Sequence, residues 1–320
     1  MYSDTRLLEN VQDLLRCPAC RSKLQSGDRE LACINSECSR RYPVIDGIPV
    51  LLNDDASVFS VDDFVSHRTT FFTASSRLKD SLARCIPSIS SNVKAEANYA
   101  SFADFLLQQS PNPRVLVIGG SVVGQGMEVI ADNASFELIE SDVSFGARIA
   151  VICDAHNIPF EDGAFDGVVV QAVLEHVVDP RKCVDEIHRV LTERGLVYAE
   201  TPFMQQVHGR QYDFTRFTHL GHRRLFRRFD EIDSGVMCGP GMALAWSYQY
   251  FLLSFAKSRT TRALIRLFSG LTAFYLKYFD RWLVNRAGAF DAASGCYFLG
   301  RRADGVLSDK ELVRLYRGAE

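Results

Sequence analysis

Short apolar segments separated by helical patterns recur between residues 92 and 203, and this alternation constrains the fold more than any other feature of the sequence. The apolar segments share a length of four to six residues and are rich in β-branched residues; they are 114–118, 136–139, 149–153, 167–171 and 195–200. Residues 95–109 and 184–191 carry the helical pattern. Apolar runs of this length are typical of strands buried on both faces of a parallel sheet. The sequence therefore predicts an α/β fold with a doubly wound, mostly parallel sheet.

Two further strands are predicted at 229–237 and 295–300, which makes a seven-stranded type of sheet. The apolar, aromatic-rich stretch between them predicts a helical insertion at 238–290, before the last strand. The predicted organisation has four parts, which are a cysteine-containing unit at 1–53, a linker at 54–91, the sheet domain at 92–303 and a C-terminal tail at 304–320. Residues 307–316 of the tail are predicted to form a surface helix.

The bulk composition excludes some functional classes. A formal net charge of −3 gives no reason to expect a nucleic acid as the main partner. The first residues have no basic region followed by an apolar one, so no secretory signal is predicted. Nine cysteines without an export signal indicate a reducing, cytoplasmic setting rather than a disulfide framework.

Four of the cysteines have the spacing of metal ligands. Cys17 and Cys20 form a C-x-x-C pair, and Cys33 and Cys38 form a second pair with a four-residue gap. Thiolates are the soft ligands that tetrahedral zinc prefers, and a site closed by four of them is structural. Four buried free cysteines are the alternative. We expect a structural zinc, because packing alone does not explain two such pairs.

This segment resembles the small zinc-ribbon proteins that act as activating partners of methyltransferases. The resemblance covers residues 14–52 and includes the Tyr42-Pro-Val-Ile-Asp-Gly-Ile-Pro sequence at 42–49. The wider gap between Cys33 and Cys38 departs from that pattern. The resemblance implies a zinc-ribbon domain at 1–53.

A glycine-rich turn follows the first strand of the sheet domain, with the sequence Gly-Gly-Ser-Val-Val-Gly-Gln-Gly at 119–126. Glycines at a strand-to-helix turn let the backbone approach a nucleotide-like ligand. Asp142 follows the next strand, where a carboxylate can bind ribose hydroxyls, and Asp154 follows the third, where it can accept from an adenine amino group. A glycine-rich turn by itself is also compatible with a mere tight turn.

These segments, in this order, resemble the Rossmann-fold (class I) S-adenosylmethionine-dependent methyltransferases of the small-molecule type. The resemblance spans residues 114–203, and 154–176 is its most specific part. It implies a methyltransferase domain at 92–303 and an S-adenosylmethionine site made of Gly119, Gly120, Ser121, Gly124, Asp142, Asp154, Ala155 and Gln171.

Three features depart from that family. Val117 stands where the family usually has an acid, Ser121 stands where it has a glycine, and only eleven residues separate Asp142 from Asp154. The last spacing predicts that the helix between those strands is shortened or absent. A dinucleotide oxidoreductase is the rival interpretation, but the segment after Asp154 and the Glu175–His176 pair favour the methyltransferase.

Candidate catalytic residues follow the fourth and fifth strands. His176 and Glu175 follow the fourth strand, and His208 and Asp213 lie in a polar, aromatic segment after the fifth. Histidine is suited to proton transfer near neutral pH, although such residues also occur in ordinary solvated loops. A metal-binding Glu-x-x-Glu-His cluster, used by some methyltransferases of this fold, is disfavoured because Ala172 occupies its first position.

The insertion combines apolar and basic residues. Residues 235–256 contain no charge but include a Gly-Pro-Gly sequence, so a transmembrane helix is not predicted. Residues 263–282 read as an interfacial amphipathic helix, and the alternative is a lid packed on the sheet with its basic side chains extended to solvent. Peripheral membrane contact through 241–286 is therefore one expectation.

The predicted function is methyl transfer from S-adenosylmethionine to an oxygen or nitrogen nucleophile of a small, lipid-linked or glycan-linked acceptor. The alternative is a binding or scaffold protein that keeps the fold, which is motivated by Val117, Ser121 and the activator-like ribbon.

Overall fold

The computed structural model describes residues 11–66 and 87–319. Its strands are β1 Leu24–Ser26, β2 Glu30–Cys33, β3 Arg41–Ile45, β4 Ile48–Leu51, β5 Arg114–Ile118, β6 Glu137–Asp142, β7 Ile149–Cys153, β8 Phe165–Gln171, β9 Leu191–Pro202, β10 Phe229–Cys238 and β11 Gly295–Arg302. Its α-helices are α1 Val61–Val65, α2 Ala95–Leu107, α3 Glu128–Ala131, α4 Pro180–Val190, α5 His219–Leu225, α6 Pro240–Leu253, α7 Arg259–Ala273, α8 Asp280–Leu283, α9 Ala287–Ala292 and α10 Asp309–Val313.

The main sheet has the strand order β7-β6-β5-β8-β9-β11-β10. Neighbouring strands from β7 to β9 pair in parallel, whereas β11 pairs antiparallel with both β9 and β10. The predicted α/β class and mostly parallel sheet are thus confirmed. Because β5 pairs with β6 on one side and β8 on the other, the strand order reverses at β5. In doubly wound sheets, ligands bind beyond the carboxyl ends of the strands at such a point.

Helices cover both faces of this sheet, as the alternation along β5 requires. Val115 and Val117 pack with Tyr99 and Phe102 of α2 on one face. Leu116 and Ile118 belong to the core on the other face, which includes α4. Both faces of the central strands are therefore buried, and this explains why they read as continuous apolar runs.

Two boundaries differ from the sequence expectation. The helix predicted at 184–191 begins earlier, at Pro180, because Asp179 caps it by accepting a hydrogen bond from the backbone N–H of Lys182. β9 begins at Leu191, directly after this helix, rather than at 195. Its first residues include exposed Glu193 and Arg194, which do not resemble a buried strand. As expected, no helix lies between β6 and β7.

The N-terminal segment continues the main sheet. β3 and β4 form a hairpin over Asp46 and Gly47, both with positive φ, as an Asp-Gly turn favours. β4 then pairs in parallel with β7, with Val50 opposite Ile152. The predicted domain boundary at residue 53 falls just after β4. Part of the predicted linker, residues 67–86, lies outside the described residues.

The predicted insertion contains helices α6 to α9. The buried carboxylate of Asp280 accepts hydrogen bonds from the backbone N–H groups of Gly241 and Met242, at 2.7 and 3.0 Å, and so joins α8 to the start of α6. α7 buries Ser269, Gly270 and Ala273 but leaves most of its surface exposed. Among residues 11–66 and 87–319, no helix is long and apolar enough to cross a membrane.

Candidate active site

A cavity of about 720 Å³ opens at the carboxyl ends of β5 to β8. Asp142 at the end of β6 and Asp154 just after β7 both line it. Of the other residues predicted to bind the cofactor, the cavity wall includes Gly119, Ser121, Gly124, Ala155 and Gln171. Gly120 lies behind the wall, where a Cβ atom would lie 2.8 Å from Cβ of Glu140. The structure thus brings the predicted glycine turn and both carboxylates to one cleft.

Two glycines of the turn lie where neighbouring side chains leave no room for a Cβ atom. Gly119 has φ of +85°, a conformation that few other residues adopt, and a Cβ there would collide with Val173. A Cβ at Gly124 would collide with the side-chain amide of Gln171. Gly119 and Gly124 therefore line the cavity without side chains of their own, and this cradle fits a nucleoside-type cofactor.

Asp142 is tied to the glycine turn. Its Oδ2 accepts a hydrogen bond of 2.9 Å from the backbone N–H of Ser121. Burial raises the pKa of Asp142, and the hydrogen bond from Ser121 opposes that shift only in part. Serine at this position retains the backbone donor that links the turn to β6.

Asp154 is held by two side chains that the sequence analysis did not identify. Its Oδ2 accepts a hydrogen bond of 2.5 Å from the Ser57 hydroxyl, and its Oδ1 lies 2.5 Å from His156 Nδ1. Since His156 Nε2 accepts from the backbone N–H of Asp179, Nδ1 is the nitrogen that donates. Burial alone would raise the pKa of Asp154, but the contacts with His156 outweigh burial and lower it.

Gln171 belongs to a buried network on the opposite wall. Its Oε1 accepts from the Tyr99 hydroxyl at 3.0 Å, and its Nε2 donates to Glu200 Oε2 at 2.8 Å. Tyr198 also donates to Glu200, whose pKa burial raises. Glu200, the last residue of the fifth predicted strand, also lines the cavity. Both the oxygen and the nitrogen of the Gln171 side-chain amide therefore have hydrogen-bond partners within the protein.

Glu175, His176 and His208 form a cluster at the edge of the cavity. His176 Nε2 lies 3.8 Å and His208 Nε2 lies 3.6 Å from Glu175 Oε1. Glu175 is fully buried, and within the described part of the chain neither of its carboxylate oxygens has a hydrogen-bond partner. Only the two histidines of this cluster line the cavity wall.

The ring orientation of both histidines is set by backbone carbonyls. His176 Nδ1 lies 2.7 Å from the carbonyl of Tyr212, and His208 Nδ1 lies 3.2 Å from that of Gln206. In the neutral rings these contacts place the proton on Nδ1, so Nε2 of each ring is the nitrogen without a proton. Burial lowers the pKa of His208, but the nearby Glu175 charge outweighs burial and raises it.

Asp213, also predicted as catalytic, does not line the cavity. Its Oδ2 accepts from the backbone N–H groups of His208 and Gly209, at 2.7 and 2.9 Å, and it forms an ion pair with Arg216. Burial would raise the pKa of Asp213, but Arg216 and the two amides lower it. The geometry thus makes Asp213 a positioning residue for the loop that carries His208.

The four N-terminal cysteines converge in space. Their Sγ atoms all lie within 4.8 Å of one another, with Cys17 to Cys38 at 3.8 Å and Cys20 to Cys33 at 3.4 Å. A tetrahedral zinc with bonds of about 2.3 Å requires sulfur separations of about 3.8 Å. The cluster therefore fits a four-thiolate zinc ion.

Known proteins resemble two parts of this chain, the sheet domain and the N-terminal cysteine-containing segment. Residues 120–199 match the family described as Methyltransferase domain. A UPF0434 protein of Pseudoalteromonas translucida (strain TAC 125) is 40% identical over 63 residues, which are 20% of this chain and 91% of that protein. A demethylmenaquinone methyltransferase of Clavibacter sepedonicus is 45% identical over 81 residues, which are 24% of this chain and 33% of that protein.

Among solved structures, the 1,6-didemethyltoxoflavin-N1-methyltransferase of Burkholderia thailandensis covers 85% of this chain and 98% of its own, at 12% identity and a TM-score of 0.39. The sequence matches fall on the two parts of the molecule that the fold joins at β4 and β7. The chain is an S-adenosylmethionine-dependent methyltransferase whose N-terminal segment belongs to the UPF0434 family.

Proposed function

We propose that this enzyme transfers the methyl group of S-adenosylmethionine to an oxygen or nitrogen nucleophile of a small or amphiphilic acceptor. The observation that carries the proposal is one cavity lined by Asp142 and Asp154 on one side and by His176 and His208 on another. Carboxylates suited to a nucleoside and imidazoles suited to proton transfer therefore share one space.

The cofactor-binding roles follow from position. Asp142 binds the ribose hydroxyls, and Asp154 with Ala155 binds the adenine ring. The open backbone of Gly119, Ser121 and Gly124 takes the methionine part, with Gln171 beside it, and Gly120 keeps this turn packed on β6. The bound cofactor supplies an activated methyl group on a sulfonium, so the protein needs only to orient the acceptor and remove its proton.

His208 is the proposed base. Its Nε2 is available to take the acceptor's proton because Nδ1 faces the carbonyl of Gln206. The buried carboxylate of Glu175 stabilises the resulting imidazolium, and Asp213 holds the loop in place. His176, on the other side of Glu175, orients the acceptor. The same three ligand atoms lie close enough to hold one cation, but Ala172 adds no fourth ligand, so we assign the cluster to proton transfer.

The four-cysteine cluster is proposed to hold a structural zinc ion. With four thiolates the coordination is closed, so the metal takes no part in methyl transfer. It stabilises a small segment in which β1 to β4 are short.

The insertion is proposed to contact a membrane surface or an amphiphilic acceptor. α7 exposes Leu264 and Phe268 in turns that also carry arginines, which is how an interfacial helix is built. Liposome co-sedimentation of the wild type and of Leu264→Ser/Phe268→Ser tests this. Val313→Ser on exposed α10 is the control, and no pelleting of the wild type would contradict it.

The alternative function is that of a binding protein without methyltransferase activity. Calorimetric measurement of the binding of S-adenosylmethionine and S-adenosylhomocysteine distinguishes it from the proposed enzyme. We expect saturable binding of both. If neither binds to the full chain, only the binding or scaffold role remains.

A further inference from the structure

A second cleft, of about 670 Å³, lies beside the main cavity and shares His208 with it. Its other lining side chains include Arg210, Tyr250, Arg259, Arg262 and Arg266. No carboxylate lines this cleft in the described part of the chain. A cleft with this lining attracts anions.

Arg259, Arg262 and Arg266 project from one face of α7, since they are spaced by three and four residues. Within residues 11–66 and 87–319, none of the three forms an ion pair. α7 itself contains no acidic residue. Like charges at this spacing repel one another and destabilise a helix, so an anion between them would relieve a cost that the free protein carries.

Two acids of the surrounding segments are already engaged. Asp213 is paired with Arg216 and with two backbone N–H groups. Asp280, the acid in the otherwise basic segment 257–286, is buried against the start of α6. Neither carboxylate therefore neutralises the cleft.

The cleft is held at a fixed position relative to His208. Tyr250 of α6 donates a hydrogen bond of 2.9 Å to the carbonyl of Val207, the residue before His208. Gln249 of α6 donates to Ser269 of α7 at 2.8 Å. α6 thus links the arginines of α7 to the loop that carries the proposed base.

We propose that this cleft binds a phosphate ester group of the methyl acceptor, with the nucleophile of the acceptor reaching past His208 into the main cavity. The inference rests on the proposed function, because it assigns the substrate class of that same site. Several guanidinium groups favour a multiply charged oxyanion, since each can donate two parallel hydrogen bonds to phosphate oxygens. The phosphate belongs either to a soluble ester or to a lipid headgroup.

Calorimetry of the full chain with pyrophosphate tests the site. We expect the wild type to bind pyrophosphate. The variant Arg262→Gln/Arg266→Gln should bind it at least about tenfold more weakly. Arg286→Gln, an exposed arginine of the same insertion that does not line the cleft, should bind as the wild type does. Absence of binding to the wild type, or equal binding to the double variant, overturns the proposal.

Titration of S-adenosylhomocysteine into the same samples separates this inference from the proposed function. If S-adenosylhomocysteine binds and pyrophosphate does not, only the phosphate site is wrong. If pyrophosphate binds in the expected pattern and S-adenosylhomocysteine does not, the phosphate site is retained and the proposed methyl transfer is wrong.

Binding of pyrophosphate should also shift the NMR signal of His208 but not that of buried His222. An unchanged His208 signal would contradict the placement of His208 in the wall of the phosphate-binding cleft.

Vesicles distinguish the two sources of phosphate. Phosphatidylcholine vesicles containing phosphatidic acid present a phosphate monoester, and vesicles with an equal charge of phosphatidylglycerol control for general attraction. Pelleting that prefers phosphatidic acid and is reversed by pyrophosphate assigns the phosphate to a lipid. No such preference, together with pyrophosphate binding, assigns it to a soluble ester.

Discussion

The two carboxylates that face the cofactor cavity have different surroundings. Asp142 accepts from a backbone N–H at the glycine turn and has a raised pKa, whereas Asp154 is bound by His156 and Ser57 and has a lowered pKa. As pH falls, Asp142 therefore gains a proton before Asp154. Loss of cofactor affinity at acidic pH should begin with Asp142.

Replacement of Asp142 tests its contact with the cofactor. Asp142→Asn should weaken S-adenosylhomocysteine binding by about tenfold to a hundredfold, because hydrogen bonds from the ribose hydroxyls to a charged acceptor are lost. Calorimetry measures the change. Glu137→Gln, at the other end of the same strand, should bind as the wild type does. Unchanged affinity of Asp142→Asn would show that the ribose lies elsewhere.

The histidines offer a prediction that needs no acceptor. In NMR titrations, His208 should titrate above the ordinary value of about 6.5 for histidine. Glu175→Gln should lower that pKa, because the charge that raises it is removed. His219 and His222 are the internal controls, since burial lowers their pKa values to about 4 and about 3. His208 titrating at or below 6.5 would refute its pairing with Glu175.

The sign of the pH dependence of methyl transfer follows from this. His208 must be neutral to accept a proton, and its raised pKa keeps the imidazolium form present to a higher pH. The rate should therefore rise as pH rises through that value and fall below it.

At the scale of elements, we expect the short strands of the N-terminal segment to depend on the zinc ion proposed for the cysteine cluster. Cys38→Ser should reduce the zinc content from one ion per chain and lower the midpoint of thermal unfolding, because one thiolate ligand is lost. Elemental analysis and calorimetry measure the two changes. Cys183→Ala, a buried cysteine of α4 outside the cluster, should retain the zinc. Equal zinc content in both variants would contradict the site.

Three histidines that are close in sequence, two of them on helix α5, take different positions in the structure. The three histidines at 208, 219 and 222 lie close in sequence, but only His208 lines the cavity. His222 packs edge-on against Phe226, and His219 lies beside Ser234 of β10. Clustering in sequence did not distinguish the cavity-lining histidine from the two buried ones, because α5 buries His219 and His222 while His208 lies in the loop before it.

At the scale of the whole molecule, the junction of β4 with β7 joins the UPF0434 segment to the cofactor site. Ser57 lies six residues after β4 and holds Asp154, which follows β7. The residues that follow β4 thus contribute to the cavity wall, which Val58 and Phe59 line. A substitution that disrupts the pairing of β4 with β7 should therefore weaken cofactor binding.

A buried charge at the junction tests this connection. Val50→Asp should lower the free energy of unfolding by about 3 kcal/mol or more, because an unpaired carboxylate would be buried opposite Ile152. Hydrogen exchange of β7 should accelerate, and S-adenosylhomocysteine binding should weaken. Ile34→Asp, at an exposed position of the same segment, should stay within about 0.5 kcal/mol of the wild type. Unchanged exchange in β7 for Val50→Asp would mean that the segments are independent.

The sequence alone determined the class of fold, the positions of most strands, the glycine turn and the four-cysteine cluster. These features depend on local spacing, on periodicity and on residue types that few other structures require. The tertiary structure decided which polar groups share a space. Ser57 carried no sequence signal because its partner, Asp154, lies 97 residues away. Glu200 ends the fifth predicted strand, but its place in the cavity wall depends on its contacts with Gln171 and Asn92. Asp213 supports a loop and does not line the cavity. Long-range packing sets such contacts, and no local pattern records it.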